Sequence, residues 1–153
     1  MVRKTYLYEN KSWNEEFDLS LDSSNTLIIC FGNSDYSIIE DGIKDIFANF
    51  KNSTIMGCST AGEIYQDELY ENVLSIAVIK FEKSQIKFVS SKLNSADESF
   101  NVGASLANEF CDDSLKGIFV LSDGLNVNGS QLTKGINSCS FEKEVIVTGG
   151  LAA

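Results

Sequence analysis

The residues best suited to bind a small molecule lie at positions 57–63, with the sequence GCSTAGE. The two glycines of this segment predict a tight turn at the end of a strand. Backbone N–H groups exposed at such a turn, together with two hydroxyl groups, can bind a carboxylate or a phosphate-like group. A well-packed turn without a ligand has the same composition, and the segment lacks the spacing and the lysine of a P-loop. The candidate ligand-binding residues here are Gly57, Cys58, Ser59, Thr60 and Glu63.

A second candidate segment, residues 122–130, has the sequence SDGLNVNGS and directly follows an apolar run. An acidic side chain in this position can hold an ammonium group while backbone amides hold a carboxylate, which is the chemistry of an amino-acid ligand. Asp123 is the first candidate for the ammonium, and Glu63 is the second. The alternative is that Asp123 and Asn128 only satisfy backbone donors and cap the following helix. We expect the two segments to face each other at one end of a sheet.

Cys58 lies between Gly57 and Ser59, an arrangement similar to the nucleophile turn of a hydrolase. The sequence contains no histidine that could act as the base, so it offers neither a Cys-His nor a Ser-His-Asp arrangement. We therefore expect no enzyme activity, no metal site and no cofactor. The cysteines are far apart, form no C-x-x-C pair and are expected to be free thiols. They are Cys30, Cys58, Cys111 and Cys139.

The chain has 153 residues, of which 22 are acidic and 12 are basic, giving a formal net charge of −10. This charge disfavours binding to phosphate backbones and to anionic lipid, so neither nucleic acid nor a membrane is expected as a partner. The longest apolar runs, such as residues 27–31, are strand-sized, and the N-terminus shows no secretory apolar region. We expect a cytoplasmic protein with one core and no second domain.

Strand-like and helix-like patterns alternate along the chain after an irregular segment at residues 1–26. The apolar run 73–81 and the alternating residues 86–88 predict an antiparallel hairpin. The whole pattern predicts an α/β fold, with a mixed β-sheet that contains this inserted hairpin and is covered by about three helices. The other expected elements are a strand at 27–31, a helix with an apolar stripe from Ile39 to Phe50, a helix from a capping box at 95–98 to about Cys111, a strand at 117–121, a helix ending near Ile136 and a strand at 145–148.

Three segments together resemble the signature of the FIST N-terminal domain, a module of signalling proteins. They are residues 57–64 (GCSTAGEI), 121–130 (LSDGLNVNGS) and 148–152 (TGGLA). The resemblance covers roughly residues 27–153 and implies a sensor of small ligands, for which an amino acid is the usual proposal. It also implies two partners on the full-length protein, namely the remainder of the FIST module and an output domain. Because family members normally continue past the last segment, we expect the domain to be incomplete at its C-terminal end.

The resulting interpretation is a small-molecule-sensing module of a bacterial signal-transduction protein, which binds an amino-acid-like ligand without catalysis. Two alternatives stay open. The first is a haem- or redox-sensing FIST domain in which Cys58 is the ligand or the oxidation target, although the missing histidine weighs against it. The second is a thiol-dependent hydrolase, which rests on Cys58 alone.

Overall fold

The computed structural model describes residues 1–110, 114–139, 141 and 144–152. The strands in these residues are β1 (Val2–Glu9), β2 (Ser12–Trp13), β3 (Thr26–Asn33), β4 (Thr54–Thr60), β5 (Glu63–Tyr65), β6 (Glu68–Tyr70), β7 (Leu74–Lys80), β8 (Gly117–Ser122) and β9 (Ile146–Leu151). The α-helices are α1 (Tyr36–Asn49), α2 (Ser99–Asn108) and α3 (Gly129–Asn137), and 3-10 turns lie at Leu19–Leu21 and Ala96–Glu98. The predicted α/β class, with a mixed sheet and three helices, is confirmed.

The chain divides into two compact units, Met1–Ile86 and Lys87–Ala153. Each unit has its own cluster of buried apolar residues, whereas the sequence led us to expect one core. The first cluster lies around Tyr6, Ile28 and Ile76. The second is smaller and is built by α3 with α2 and the strands β8 and β9. The described residues of the two units contain no helix that is both long and apolar enough to cross a membrane.

The first unit is built on a five-stranded sheet with the order β2-β1-β7-β3-β4. Strands β3 and β4 are parallel and are connected through α1, while β7 is antiparallel to both β1 and β3. Helix α1 begins after Asp35, whose carboxylate accepts a hydrogen bond from the Ser37 N–H at 3.0 Å. The apolar stripe of α1 was predicted, and Ile46 is fully buried, but Phe47 is 61% exposed. Because β3 and β4 are parallel neighbours, their carboxyl ends lie side by side at one edge of the sheet.

The N-terminal segment is not irregular as predicted, because β1 is an internal strand of this sheet. β1 lies between β2 and β7, and its register pairs Tyr6 with Ile76. Three successive residues of β1, at positions 6–8, are buried. The strand therefore lacks the period-two alternation by which a strand with one exposed face is recognised in a sequence.

The predicted hairpin between residues 73–81 and 86–88 is wrong. Strand β7 forms close to its predicted position, but β1 and β3 occupy its two sides, so no edge of β7 is left for another strand. Residues 86–88 form no strand. An antiparallel hairpin is found instead at β5 and β6, whose three-residue strands are too short to give a periodic signal.

The second unit contains α2, α3 and a two-stranded parallel sheet of β8 and β9. Ile118 and Val120 of β8 and Val147 of β9 pack against the buried Leu132 and Ile136 of α3. All four elements were predicted, although α2 starts at Ser99, after a 3-10 turn rather than with a capping-box bond from Ser95. The predicted C-terminal end of this helix, at Cys111, lies outside the described residues.

Candidate functional site

The first candidate segment is mostly strand rather than turn. Residues 57–60 are the last four residues of β4, and they pair in parallel with residues 30–33 of β3. This register places Cys58 opposite Phe31 and Ser59 opposite Gly32. The chain bends at residues 61–62, after β4 has ended. The change of direction begins later than predicted, because residues 57–60 all pair with β3.

Gly57 is explained by the packing of two neighbouring strands. A Cβ atom on Gly57 would lie 2.3 Å from the carbonyl oxygen of Cys30 and 2.7 Å from its Cβ. Both distances are shorter than any ordinary van der Waals contact, and one of the atoms belongs to the backbone of β3. A glycine at this position therefore lets β4 approach β3 closely enough to pair with it.

Glu63 has the most unusual environment of the candidate residues. The residue is 2% exposed, and its Oε1 accepts a hydrogen bond of 2.8 Å from the Oγ1 of Thr60. Its second carboxyl oxygen, Oε2, is buried without a hydrogen-bond partner among the described residues. A buried polar atom without a partner costs about 1–3 kcal/mol, so the Glu63 carboxyl can accept one more donor with a gain in free energy.

The buried position of Glu63 is produced by the hairpin of β5 and β6. Successive residues of a strand point to opposite faces, and Ile64 is accordingly 72% exposed while Glu63 is buried. Besides the Thr60–Glu63 bond, the hairpin is joined to the rest of the first unit by hydrogen bonds from Ser75 Oγ to the Ile64 carbonyl at 3.1 Å and from Asn14 Nδ2 to the Tyr65 hydroxyl at 2.8 Å. Strand β5 contacts β1, β3 and β7. The hairpin therefore holds the carboxyl near the end of the sheet.

Asn14 and Ser75 were missed by the sequence analysis. Neither residue belongs to a motif, and each contacts the hairpin through a side-chain hydrogen bond, from Asn14 to Tyr65 and from Ser75 to Ile64. No local signal identifies such residues. Their position became visible only with the tertiary structure of the first unit.

Cys58 shows no sign of activation as a nucleophile. Its thiol is free and partly exposed, and burial raises its pKa, which lowers the thiolate fraction at neutral pH. Cys30 is free and buried, and burial raises its pKa to about 12. Within the described ranges, no group of acidic or cysteine side chains is arranged to hold a metal ion.

The expectation of free thiols throughout the chain is wrong for Cys139, which is disulfide-bonded. Wide spacing in the sequence and the lack of a C-x-x-C pair do not prevent a bond between cysteines that the fold brings together. Cys111, which was also expected to be a free thiol, lies outside the described residues.

Asp123 is exposed and is bound to its own turn. Its Oδ1 accepts hydrogen bonds from the N–H groups of Leu125 at 2.6 Å and Asn126 at 2.9 Å, and its Oδ2 accepts one from Asn126 Nδ2 at 3.0 Å. The hydrogen bonds from Asn126, and then that from Leu125, hold the pKa of the Asp123 carboxyl below its ordinary value of 3.8. This geometry matches the turn-forming role that the sequence left open for Asp123.

Asn128 is the N-cap of α3. Its side-chain Oδ1 accepts a hydrogen bond from the Gln131 N–H at 3.1 Å, and its carbonyl accepts one from the Leu132 N–H at 2.9 Å. Its own N–H donates to Ser99 Oγ at 2.9 Å. The capping role considered for Asn128 is therefore what the structure shows.

The structure brings Thr60 and Glu63 of the first segment together through a direct hydrogen bond. Asp123 and Asn128 belong to the second compact unit. The prediction that the two segments bind one ligand together stays a prediction.

The fold defines a class of protein, a mixed α/β domain. In its first unit a buried carboxyl lies beside the carboxyl end of a parallel strand. The chain belongs to the FIST family, since the model of the FIST N domain matches residues 26–153. This match confirms the resemblance found in the sequence. FIST domains are sensory domains of signal-transduction proteins. Neither the curated proteins nor the solved structures include a match to the chain.

Proposed function

We propose that this chain is a ligand-sensing module that binds an amino-acid-like molecule and catalyses no reaction. The observation that supports the proposal best is the buried Glu63 carboxyl, which has one oxygen bound by Thr60 and the other without a partner among the described residues. The ammonium group of an amino acid is a charged donor, and hydrogen bonds of this kind are stronger than those between neutral groups. The ligand carboxylate would bind backbone N–H groups at the bend of residues 61–62, alongside Ser59.

Glu63 is a better partner for an ammonium group than Asp123. Both oxygens of Asp123 already accept hydrogen bonds within its turn, and the side chain is exposed to water, which weakens ionic contacts. The Glu63 carboxyl is shielded from water and has one oxygen without a hydrogen-bond partner among the described residues. Charge interactions are stronger at such a shielded position than at the surface.

The burial of Glu63 also connects binding to signalling. Because its Oε2 is enclosed, a ligand reaches this oxygen only when the β5–β6 hairpin shifts away from the sheet. A ligand that binds the shifted form better than the closed form moves the equilibrium towards the shifted form. The position of the hairpin would then report occupancy to an output domain of the full-length protein.

The haem, redox and hydrolase alternatives gain no support from the contacts of Cys58. Burial raises the pKa of this thiol, and the sequence contains no histidine. We infer that the module acts in the cytoplasm of a bacterium, although a disulfide such as that of Cys139 is rare in this compartment. Its net charge of −10 disfavours nucleic acid and anionic lipid as partners.

An amino-acid screen of the protein by thermal shift, followed by calorimetry, tests this proposal. At least one amino acid should raise the unfolding temperature of the wild type, and Glu63→Gln should weaken its binding by about tenfold or more, because an amide replaces the oxygen that faces the ammonium. Glu71→Gln, which changes an exposed carboxylate in the same unit, is the matched control and should bind like the wild type. The proposal fails if no amino acid binds, or if Glu63→Gln binds as tightly as the wild type.

A further inference from the structure

One face of the β5–β6 hairpin exposes two large apolar side chains. Ile64 and Leu69 are register partners on neighbouring strands, so their side chains lie side by side on the same face. Ile64 is 72% exposed and Leu69 is 71% exposed. The opposite face carries the buried Glu63 and its register partner Tyr70. The outer face of the hairpin is therefore apolar, whereas the water-facing side of a sheet normally carries polar residues.

The attachment of the hairpin to the first unit does not explain these two side chains. The bond from Ser75 uses only the backbone carbonyl of Ile64, and the other bonds are made by the side chains of Glu63 and Tyr65. An apolar pair across two strands stabilises a hairpin by about 0.2–1 kcal/mol. Full burial against a partner contributes about 1.5–3 kcal/mol for each such side chain, which is the larger effect.

Exposed carboxylates flank the apolar pair. They belong to Asp67 in the hairpin turn, Glu68 in β6 and Glu71 directly after β6, and we call these three residues the acidic rim. Residues 52–79 contain no lysine or arginine. The hydrogen bond to Glu68 is the largest cause that raises the pKa of the Tyr70 hydroxyl above its ordinary value, and the charge of Asp67 adds to it. The outer face therefore has an apolar centre beside negative charge.

The charge of the acidic rim decides which partner fits this face. A second copy of the chain would bring a second acidic rim against the first, and facing like charges disfavour association. An anionic lipid surface is repelled for the same reason. A protein segment that carries lysine or arginine beside its apolar residues has the complementary charge.

The size of the outer face fits a helix. Three residues of a strand span about 10 Å, which is close to the diameter of an α-helix with its side chains, about 10–12 Å. An amphipathic helix presents an apolar stripe with charged residues beside it. Such a helix covers both apolar side chains of the hairpin in one crossing.

We propose that the outer face of the β5–β6 hairpin is a docking surface for a basic amphipathic helix of a partner protein. The apolar stripe of the helix packs on Ile64 and Leu69, and its basic side chains pair with the acidic rim. Docking requires no ligand at Glu63, whose carboxyl lies on the other face of the hairpin. Only its link to sensing rests on the proposed function, since a hairpin that shifts on ligand binding moves this surface with it.

The test is an NMR titration of the ¹⁵N-labelled protein with three synthetic peptides of about 14 residues, roughly four helical turns. The first consists of leucine and lysine with one apolar stripe, the second has glutamate in place of every lysine, and the third has glutamine in place of every leucine. We expect the first peptide to shift the Ile64 and Leu69 amides saturably, with a Kd of about 10–100 μM. The other two should bind at least about tenfold more weakly.

Ile64→Thr combined with Leu69→Thr should weaken binding of the basic peptide by about tenfold or more, because the apolar contact is lost. Threonine suits a strand, so the hairpin should still form, and an unchanged Glu63 amide signal checks this. Phe47→Gln is the matched control and should bind like the wild type. It removes an exposed apolar side chain from α1 of the same unit.

Changing the three carboxylates of the acidic rim to amides should weaken binding at low salt by about fivefold and reduce its salt dependence, since exposed charges are screened by salt. The same exchange at three carboxylates of α1 removes an equal charge and should have a smaller effect. These control residues are Glu40, Asp41 and Asp45.

The docking surface would be ruled out by any of three results: no saturable shift of the hairpin amides, equal affinity for the basic and the acidic peptide, or full affinity in the double threonine variant. Glu63→Gln should leave binding of the basic peptide unchanged. A failure of this surface is therefore distinguishable from a failure of the Glu63 site.

Discussion

At the scale of single residues, packing explains why position 57 is a glycine but does not explain why position 63 is a glutamate. Gly57 lies against the backbone of β3, where there is no room for a side chain. Glu63 is buried where an apolar side chain would avoid the cost of an unpartnered oxygen. Packing alone therefore explains the first residue and leaves the carboxyl of the second unexplained, which is the reason for assigning it to ligand binding.

Replacing Gly57 by alanine should destabilise the first unit by about 1–3 kcal/mol, because the new methyl group collides with the backbone of Cys30. Urea unfolding followed by the fluorescence of Trp13, which lies in the same unit, measures the loss. Gly62→Ala is the matched control, since its Cβ would approach the exposed and adaptable Leu69 side chain at 3.1 Å and would lie at an ordinary contact distance of 3.6 Å from the Tyr70 carbonyl oxygen. Equal stability of the Gly57 variant and the wild type would contradict the close approach of β3 and β4.

At the scale of secondary-structure elements, long elements with regular patterns were predicted and short or fully buried ones were not. The apolar spacing of α1 and the buried run of β3 are local signals, and both elements form close to the predicted positions. β1 was missed because residues 6–8 are buried in succession. The β5–β6 hairpin was missed because its strands have three residues each.

The difference between features with a local sequence signal and features without one also explains how much of the candidate site was predictable. The sequence identified Glu63 and Thr60 by their proximity in a glycine-rich segment. It could not show that the Glu63 carboxyl is buried, because burial depends on hairpin contacts with Asn14 and Ser75, which are distant in the sequence or outside any motif. Asp123 and Asn128 were equally visible, but only the structure shows that their oxygens are used within a turn and a cap.

Helix α3 should depend on its N-cap. Asn128→Ala removes the acceptor of the Gln131 N–H and should cost about 1 kcal/mol, which corresponds to a decrease of about 4–8 °C in the unfolding temperature of a unit of this size. Asn128→Asp keeps an acceptor at the same position and should retain most of the stability. Thermal unfolding followed by circular dichroism makes the comparison. An unchanged unfolding temperature in Asn128→Ala would contradict the capping role of Asn128.

At the scale of the whole molecule, the chain is a FIST family member with two compact units. The proposed Glu63 site lies in the first unit and suits a cationic donor. A ligand changes the populations of two states of a protein when it binds one of them better. The β5–β6 hairpin, which contains Glu63, is the element whose position we expect to differ between these states.

The most direct test of this account is a titration of the protein carrying ¹³C-labelled glutamate with the amino acid that stabilises it. Glu63→Gln assigns the Glu63 carboxyl carbon, since its signal is lost in that variant. The account predicts that this signal shifts saturably with the ligand, together with the amide signals of the β5–β6 hairpin. A ligand that binds while the signals of Glu63 and the hairpin remain unchanged would contradict the account.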